Sequence, residues 1–183
     1  MNIGCVIPAR FGSTRLPGKP LADIAGKPMI QRVYERVTQA KRPQVVIVAT
    51  DDQRVYDAVK SFGGTVVMTD ANHPNGTDRL AEVAQQYTDL DVIITVQGDE
   101  PMIDAYLIDQ LGEIFEDDAY LQMATVAIPL IQEEYDEPSA VKVILNKRND
   151  AMYFSRSLIP YPRHDFVNAP LKHIGIYAYR RQF

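Results

Sequence analysis

Residues 45–68, VVIVATDDQRVYDAVKSFGGTVVM, decide the fold class. Val45 to Ala49 is an unbroken apolar run rich in β-branched residues, the composition of a strand buried on both faces. Asp51 and Asp52 follow, and either can cap a helix. Val55, Val59 and Phe62 then recur at helical spacing, and Gly63 with Gly64 ends the run. Thr65 to Met68 reads as the next strand. A strand, a short helix and a second strand in direct succession favour parallel pairing through a helical crossover.

The same alternation extends both ways. Ile3 to Ile7 is a strand closed by Pro8, and residues 9–27, with Gly12, Pro17, Gly18, Pro20 and Gly26, read as loop and turn. Pro28 suits the first position of a helix over 28–40, whose inner face is Ile30, Val33, Tyr34 and Val37. After Met68 comes the polar loop DANHPNGTDR, then a helix marked by Leu80, Val83, Ala84 and Tyr87, with Thr77 as its expected cap. Val92 to Val96 is a strand ending in QGDEP, a helix spans 104–116, and 121–128 is a further strand. Residues 139–179 read as short strands and Pro-rich turns. The whole is an α/β fold with a mostly parallel sheet, in which ligands sit beyond the carboxyl ends of the strands. The loops after the first, third and fourth strands are therefore where chemistry is sought. The ending IGIYAYRRQF reads as a strand running on without a polar tail, as in a partial chain.

The 183 residues, 46% of them hydrophobic, are enough for a sizeable core. A net charge of −5 argues against a general nucleic-acid partner, which favours a basic excess. The lone Cys5 permits no internal disulfide, the N-terminus lacks the pattern of a signal peptide, and no apolar run approaches membrane-spanning length. These features point to a cytoplasmic protein with no membrane partner. With a single cysteine and no G-x-S-x-G, HExxH or CxxC pattern, covalent nucleophilic and zinc-hydrolase chemistry have no candidate residues.

The first loop, ARFGSTRLPGKP, sets Arg10, Arg15 and Lys19 among Gly12, Ser13 and Gly18. Glycines let main-chain N–H groups approach phosphate oxygens, and the cations neutralise a triphosphate. An ordinary solvated basic loop is the other reading. It is not a Walker A loop, because five residues separate Gly12 from Gly18 and Lys19 is followed by Pro20. It is not a dinucleotide fingerprint either. In VQGDEP a strand delivers Asp99 and Glu100 to the ligand edge, where they serve either Mg²⁺ or the start of the next helix. Asp51 and Asp52 read as caps of the helix that follows. His173 reads as a strand histidine bonded within the fold, and Tyr177 and Tyr179, which alternate with Ile176, read as core.

PARFGSTRLPGKPL resembles the signature of the CMP-sugar-acid synthetases, specifically the CMP-KDO synthetases. ATDD, NGTDR, VQGDEP, YFSRS, IPYPR and KHIGIYAYRR are similar to that family as well, in its order and over nearly the whole chain. The resemblance implies a Rossmann-like nucleotidyltransferase fold of the nucleotide-diphospho-sugar transferase type. It implies one such domain over 1–183 that lacks the family's C-terminal part. The implied reaction joins CMP from CTP to 3-deoxy-manno-octulosonate (KDO), releases pyrophosphate, uses Mg²⁺, and serves lipopolysaccharide synthesis. Pro8, Ala9, Arg10, Ser13, Arg15 and Lys19 would bind the nucleotide, with Arg79 at the cytosine, where the loop around His73 closes over the base. Arg10, Lys19 and Asp99 would be catalytic, and Asp99 would hold the metal. Gln97, Arg156, His173 and Tyr177 would orient the sugar acid. The family's second metal-binding Asp has no match here. A homodimer is implied for the full-length protein. The alternatives are another acidic sugar, such as 8-amino-KDO or a sialic-acid-like substrate, and a nucleotide-binding remnant with little activity.

Overall fold

The computed structural model describes residues 1–12, 16–164 and 168–183. They fall into two compact units, Met1–Ala124 with Ile176–Phe183, and Thr125–Gly175.

In the first unit the apolar runs form β1 (Ile3–Ala9), β4 (Val45–Thr50), β5 (Thr65–Met68) and β6 (Val92–Thr95). Between them stand α1 (Met29–Val37), α2 (Gln53–Ser61) and α3 (Gly76–Gln86), and α4 (Ala105–Asp117) follows β6. The loop after β1 contains a 3-10 turn at Lys19–Leu21 and a two-stranded ribbon, β2 (Asp23–Ile24) with β3 (Lys27–Pro28). The sheet runs β5-β4-β1-β6 with every neighbour parallel, and the Tyr177–Arg180 end of β10 (Leu171–Arg180) adds an antiparallel strand beside β6. A largely parallel α/β sheet is what the sequence predicts, and the antiparallel strand is the addition.

The side-chain period of two sends β1 into both faces of the sheet. Val6 joins Ile47, Ala49, Ile93 and the α3 residues Leu80 and Val83 in one core cluster. Ile3 faces the other way, toward α4, where a Cβ on Gly112 would come within 3.0 Å of it. Ile30, Val33 and Val37 of α1 and Ile108, Leu111 and Phe115 of α4 are buried as their spacing requires. Each such side chain contributes about 1.5–3 kcal/mol by leaving water. Tyr34 is only half-buried; its hydroxyl accepts from the Thr65 amide at 3.2 Å.

Three local expectations change. Pro28 precedes α1 as its N-cap, because it already belongs to the small ribbon. Phe62 is the C-cap of α2 and meets the Tyr34 ring, while Val55 and Val59 alone are buried. The cap of α3 is Asn75, not Thr77: its Oδ1 accepts from the amides of Thr77 and Asp78 at 2.8 and 2.9 Å. Asn two residues before Thr77 claims those amides, so Thr77 lies within the first helical turn.

In the second unit β8 (Lys142–Leu145) pairs antiparallel with β9 (Ala151–Ser155) on one side and with Leu171 and Lys172 of β10 on the other. β7 (Met123–Pro129) supplies its N-terminal segment. Among the described residues no helix is long and apolar enough to cross a membrane.

Candidate active site

From β1 the chain steps outward to β4 and β5, then returns to the other side of β1 as β6. The loops that follow β1 and β6 therefore leave in opposite directions, and this reversal opens a crevice at the carboxyl ends of the strands. The two loops touch at their roots. A Cβ on Gly98 would lie 2.8 Å from the Pro8 carbonyl oxygen, so only glycine permits this approach.

Lys19 reaches the crevice through a tight turn. Gly18 has a φ of 72°, in the left-handed region, and its amide donates to the Phe11 carbonyl at 2.9 Å. From there the Lys19 ammonium donates to the Asp99 carboxylate, and both side chains are about a third or more exposed. Glu100 is next in line; burial first, and then the neighbouring Asp99 charge, push its carboxyl above the ordinary range, with Lys19 acting against them. No group of three or more His, Cys, Asp or Glu side chains suited to a metal stands together among the described residues. Asp99 thus offers one carboxylate, which fits Mg²⁺: that ion takes one or two protein carboxylates and completes its shell with phosphate oxygens and water.

Arg10 leaves the end of β1 toward the loop before α3. Its guanidinium donates to the carbonyls of His73 and of Pro74, the latter at 3.2 Å, and its Nε lies 3.9 Å from Asp51. The same Asp51 oxygen accepts from Arg79 at 2.6 Å. Arg79 is wholly buried, and its other terminal nitrogen donates to the Thr69 hydroxyl. The sequence reading gives Arg79 a nucleotide contact; in the fold both its terminal nitrogens are engaged by protein groups, and its Nε is buried with no partner. The doublet at the end of β4 is thereby divided. Asp52 caps α2, accepting from the Arg54 amide, while Asp51 turns to the two arginines. His73 pairs with Glu82 at 2.5 Å and ties the loop to α3.

Pro8 and Ala9 stand at the root of the crevice, and a Cβ added at Gly76 would meet the Pro8 ring at 3.6 Å. Gln97 is exposed. Tyr177 pairs in register with Thr95, is half-buried, and lies 6.2 Å from the near-parallel ring of Tyr179, which packs against the core cluster. Burial raises both phenols above their ordinary range. In the second unit, Arg156 is exposed at the end of β9 and His173 is half-buried. The imidazole Nε2 lies 2.8 Å from the Thr125 hydroxyl, the ring meets Phe154 edge-on, and burial lowers its pKa. Ser13 and Arg15 lie outside the described residues.

Sequence reasoning missed two supports. Arg54 stacks over the Phe11 ring, its guanidinium carbon 3.4 Å from the centroid, and holds Asp52 with two nitrogens. Asp51 is the other, hidden because either member of an Asp doublet can cap a helix.

The profile of the Cytidylyltransferase family matches residues 4–183. The chain belongs to the cytidylyltransferase family. Among cytidylyltransferases it is 54% identical over 176 residues to the Escherichia coli 3-deoxy-manno-octulosonate cytidylyltransferase, a match covering 96% of this chain and 71% of that one. It is 49% identical over 193 residues to the protein of that name from Syntrophotalea carbinolica, covering 100% and 77%. A solved CMP:2-keto-3-deoxy-manno-octonic acid synthetase, complexed with CTP, superposes with a TM-score of 0.93 at 53% identity, over 100% of this chain and 75% of that one. The 4-diphosphocytidyl-2C-methyl-D-erythritol synthase of Anaerococcus prevotii shares the fold, at a TM-score of 0.63 and 13% identity over 99% and 70%.

Proposed function

We propose that this cytidylyltransferase transfers CMP from CTP to KDO and releases pyrophosphate. The observation that carries the reading is the meeting of Lys19 and Asp99 across the crevice at the sheet's reversal point, in a chain half-identical to proteins that bear this activity as their name. The anomeric hydroxyl oxygen of KDO attacks the α-phosphorus of CTP in line. An O–P bond forms, the bond from the α-phosphorus to the bridging oxygen breaks, pyrophosphate leaves with that electron pair, and the hydroxyl proton passes to solvent. The chain's own work is placement and charge stabilisation. Lys19 and Arg10 meet the triphosphate, with Ser13 and Arg15 of the same loop assigned by resemblance. Pro8 and Ala9 present main chain to the nucleotide. Arg79 acts from inside, through Asp51 and the loop that Arg10 grips. Asp99 would hold Mg²⁺, which supplies Lewis-acid stabilisation of phosphate charge when bound. Gln97 and Tyr177 in the first unit, and Arg156 and His173 in the second, are assigned to the sugar acid by resemblance. The product would feed lipopolysaccharide synthesis. The lone free cysteine and the use of CTP suit a cytoplasmic enzyme, and a homodimer is the expected state of the full-length protein.

Pyrophosphate release from CTP, measured with KDO and in parallel with a sialic acid, tests this. Release with KDO alone is expected, and Lys19→Ala or Asp99→Ala should each lower it at least about a hundredfold. Equal rates on both sugars would remove the substrate, and near-normal rates in either variant would remove that residue's role.

A further inference from the structure

One charged side chain of the second unit has no part in the chemistry above. Lys142, the first residue of β8, is fully buried. Its ammonium donates to two main-chain carbonyls, of Glu137 at 3.0 Å and of Arg156 at 3.3 Å. The nearby acids are engaged elsewhere. The Glu137 carboxylate accepts from the amide and hydroxyl of Ser139, and Glu134 accepts from Lys172, which pairs with Lys142 across the strands. Both hydrogen-bond acceptors of this ammonium are neutral carbonyls, and the Glu137 charge acts on it without a hydrogen bond; such burial is costly, and an apolar side chain would fill β8 at less expense. What the lysine secures is the position of the two segments it joins.

Those segments also meet through Arg156 itself. Its Nη1 donates to the Pro138 carbonyl at 2.6 Å, one residue from the Glu137 carbonyl that Lys142 holds. Arg156 is thus gripped at its main chain by Lys142 and at its guanidinium by the adjoining turn. Ser155, directly opposite Lys142, adds a third constraint by accepting from the Ser157 amide at 3.0 Å. A guanidinium has five donors, and this clamp uses one while tethering the fork beside the turn. We infer that Lys142 is a positioning residue, which fixes Arg156 to receive a substrate carboxylate. The inference rests on the reading of Arg156 as a sugar-acid contact.

Hydrogen exchange of the whole chain, with initial rates on CTP and KDO, tests it in Lys142→Met and Lys142→Gln. Peptides covering 137–140 and 153–158 should exchange faster while those covering 45–68 do not change. The KM for KDO should rise roughly tenfold with the KM for CTP unmoved. Lys142→Gln, whose amide still donates, should fall between wild type and Lys142→Met, and it carries the test if the methionine variant does not fold. In an Arg156→Ala background, Lys142→Met should raise the KM for KDO no further. Unchanged exchange in both segments, or an additive KM effect in the double variant, would overturn the clamp. Arg156→Ala with an unchanged KM for KDO would instead remove the underlying role of Arg156, and the exchange data would still judge the clamp.

Discussion

Among the cation–carboxylate pairs at the carboxyl edge of the first unit's sheet, two differ sharply in access to water. Lys19 and Asp99 keep 31% and 42% of their side chains exposed; Arg79 and Asp51 keep 0% and 15%. An exposed pair contributes little to stability because water answers each charge almost as well as its partner does. Either member can turn to a ligand at small cost. A buried pair has no such freedom, since each ion depends on the other once both have left water. The open pair is the one that can serve a ligand, and the closed one holds the frame of Arg10 and the loop before α3.

This contrast breaks if stability follows the wrong pair. Asp51→Ala leaves the Arg79 charge buried and alone, and should cost about 3–5 kcal/mol in denaturant unfolding. The double variant Asp51→Leu with Arg79→Met removes both charges and should cost less than the single one. Lys19→Ala, in contrast, should change stability by at most about 1 kcal/mol. A loss in Lys19→Ala as large as in Asp51→Ala would show the open pair to be structural. A smaller effect sharpens the picture at the same loop: Asn75→Ala strips the cap of α3 and should cost about 1 kcal/mol, or roughly 2–4 °C in Tm. Thr77→Val should leave Tm nearly unchanged, and the reverse ranking would restore Thr77 as the cap.

The smallest effect belongs to His173, whose neutral form burial favours. Its folded pKa is depressed below the ordinary 6.5, so the unfolded chain binds the proton first. Its contribution is therefore complete above about pH 6.5 and is lost as pH falls through the depressed value. His173→Gln should flatten the fall of stability on the acid side of 6.5 and leave the alkaline side alone. An unaltered acid slope would mean that this imidazole is not the group responsible.

The α/β alternation was legible because each element carries its own period and its own stop: β-branched runs for β1, β4 and β6, apolar residues at helical spacing for α1 and α4. The loops that carry Arg10, Lys19 and Asp99 were legible too, because they follow the apolar runs, although the reversal between β1 and β6 lies in the strand order of the sheet and not in the order along the chain. Partner choice was not. Nothing in ATDD tells which aspartate caps and which turns to an arginine, since that depends on a residue nearly thirty positions away folding back as α3. The burial of Arg79 was hidden for the same reason: its polarity predicts a surface, and only the Asp51 contact makes an interior site tolerable. Lys142 stands in a strand otherwise of Val, Ile and Leu, an irregularity visible in the sequence whose burial is not.

The hydrogen bond from the Gly18 amide to the Phe11 carbonyl ties the residue just before Lys19 to one just past β1. Phe11 in turn lies under the Arg54 guanidinium, so the ammonium that meets Asp99 is anchored through a side chain of α2. Position 54 therefore bears on where Lys19 starts its reach, and a substitution there would be felt at the carboxylate across the crevice.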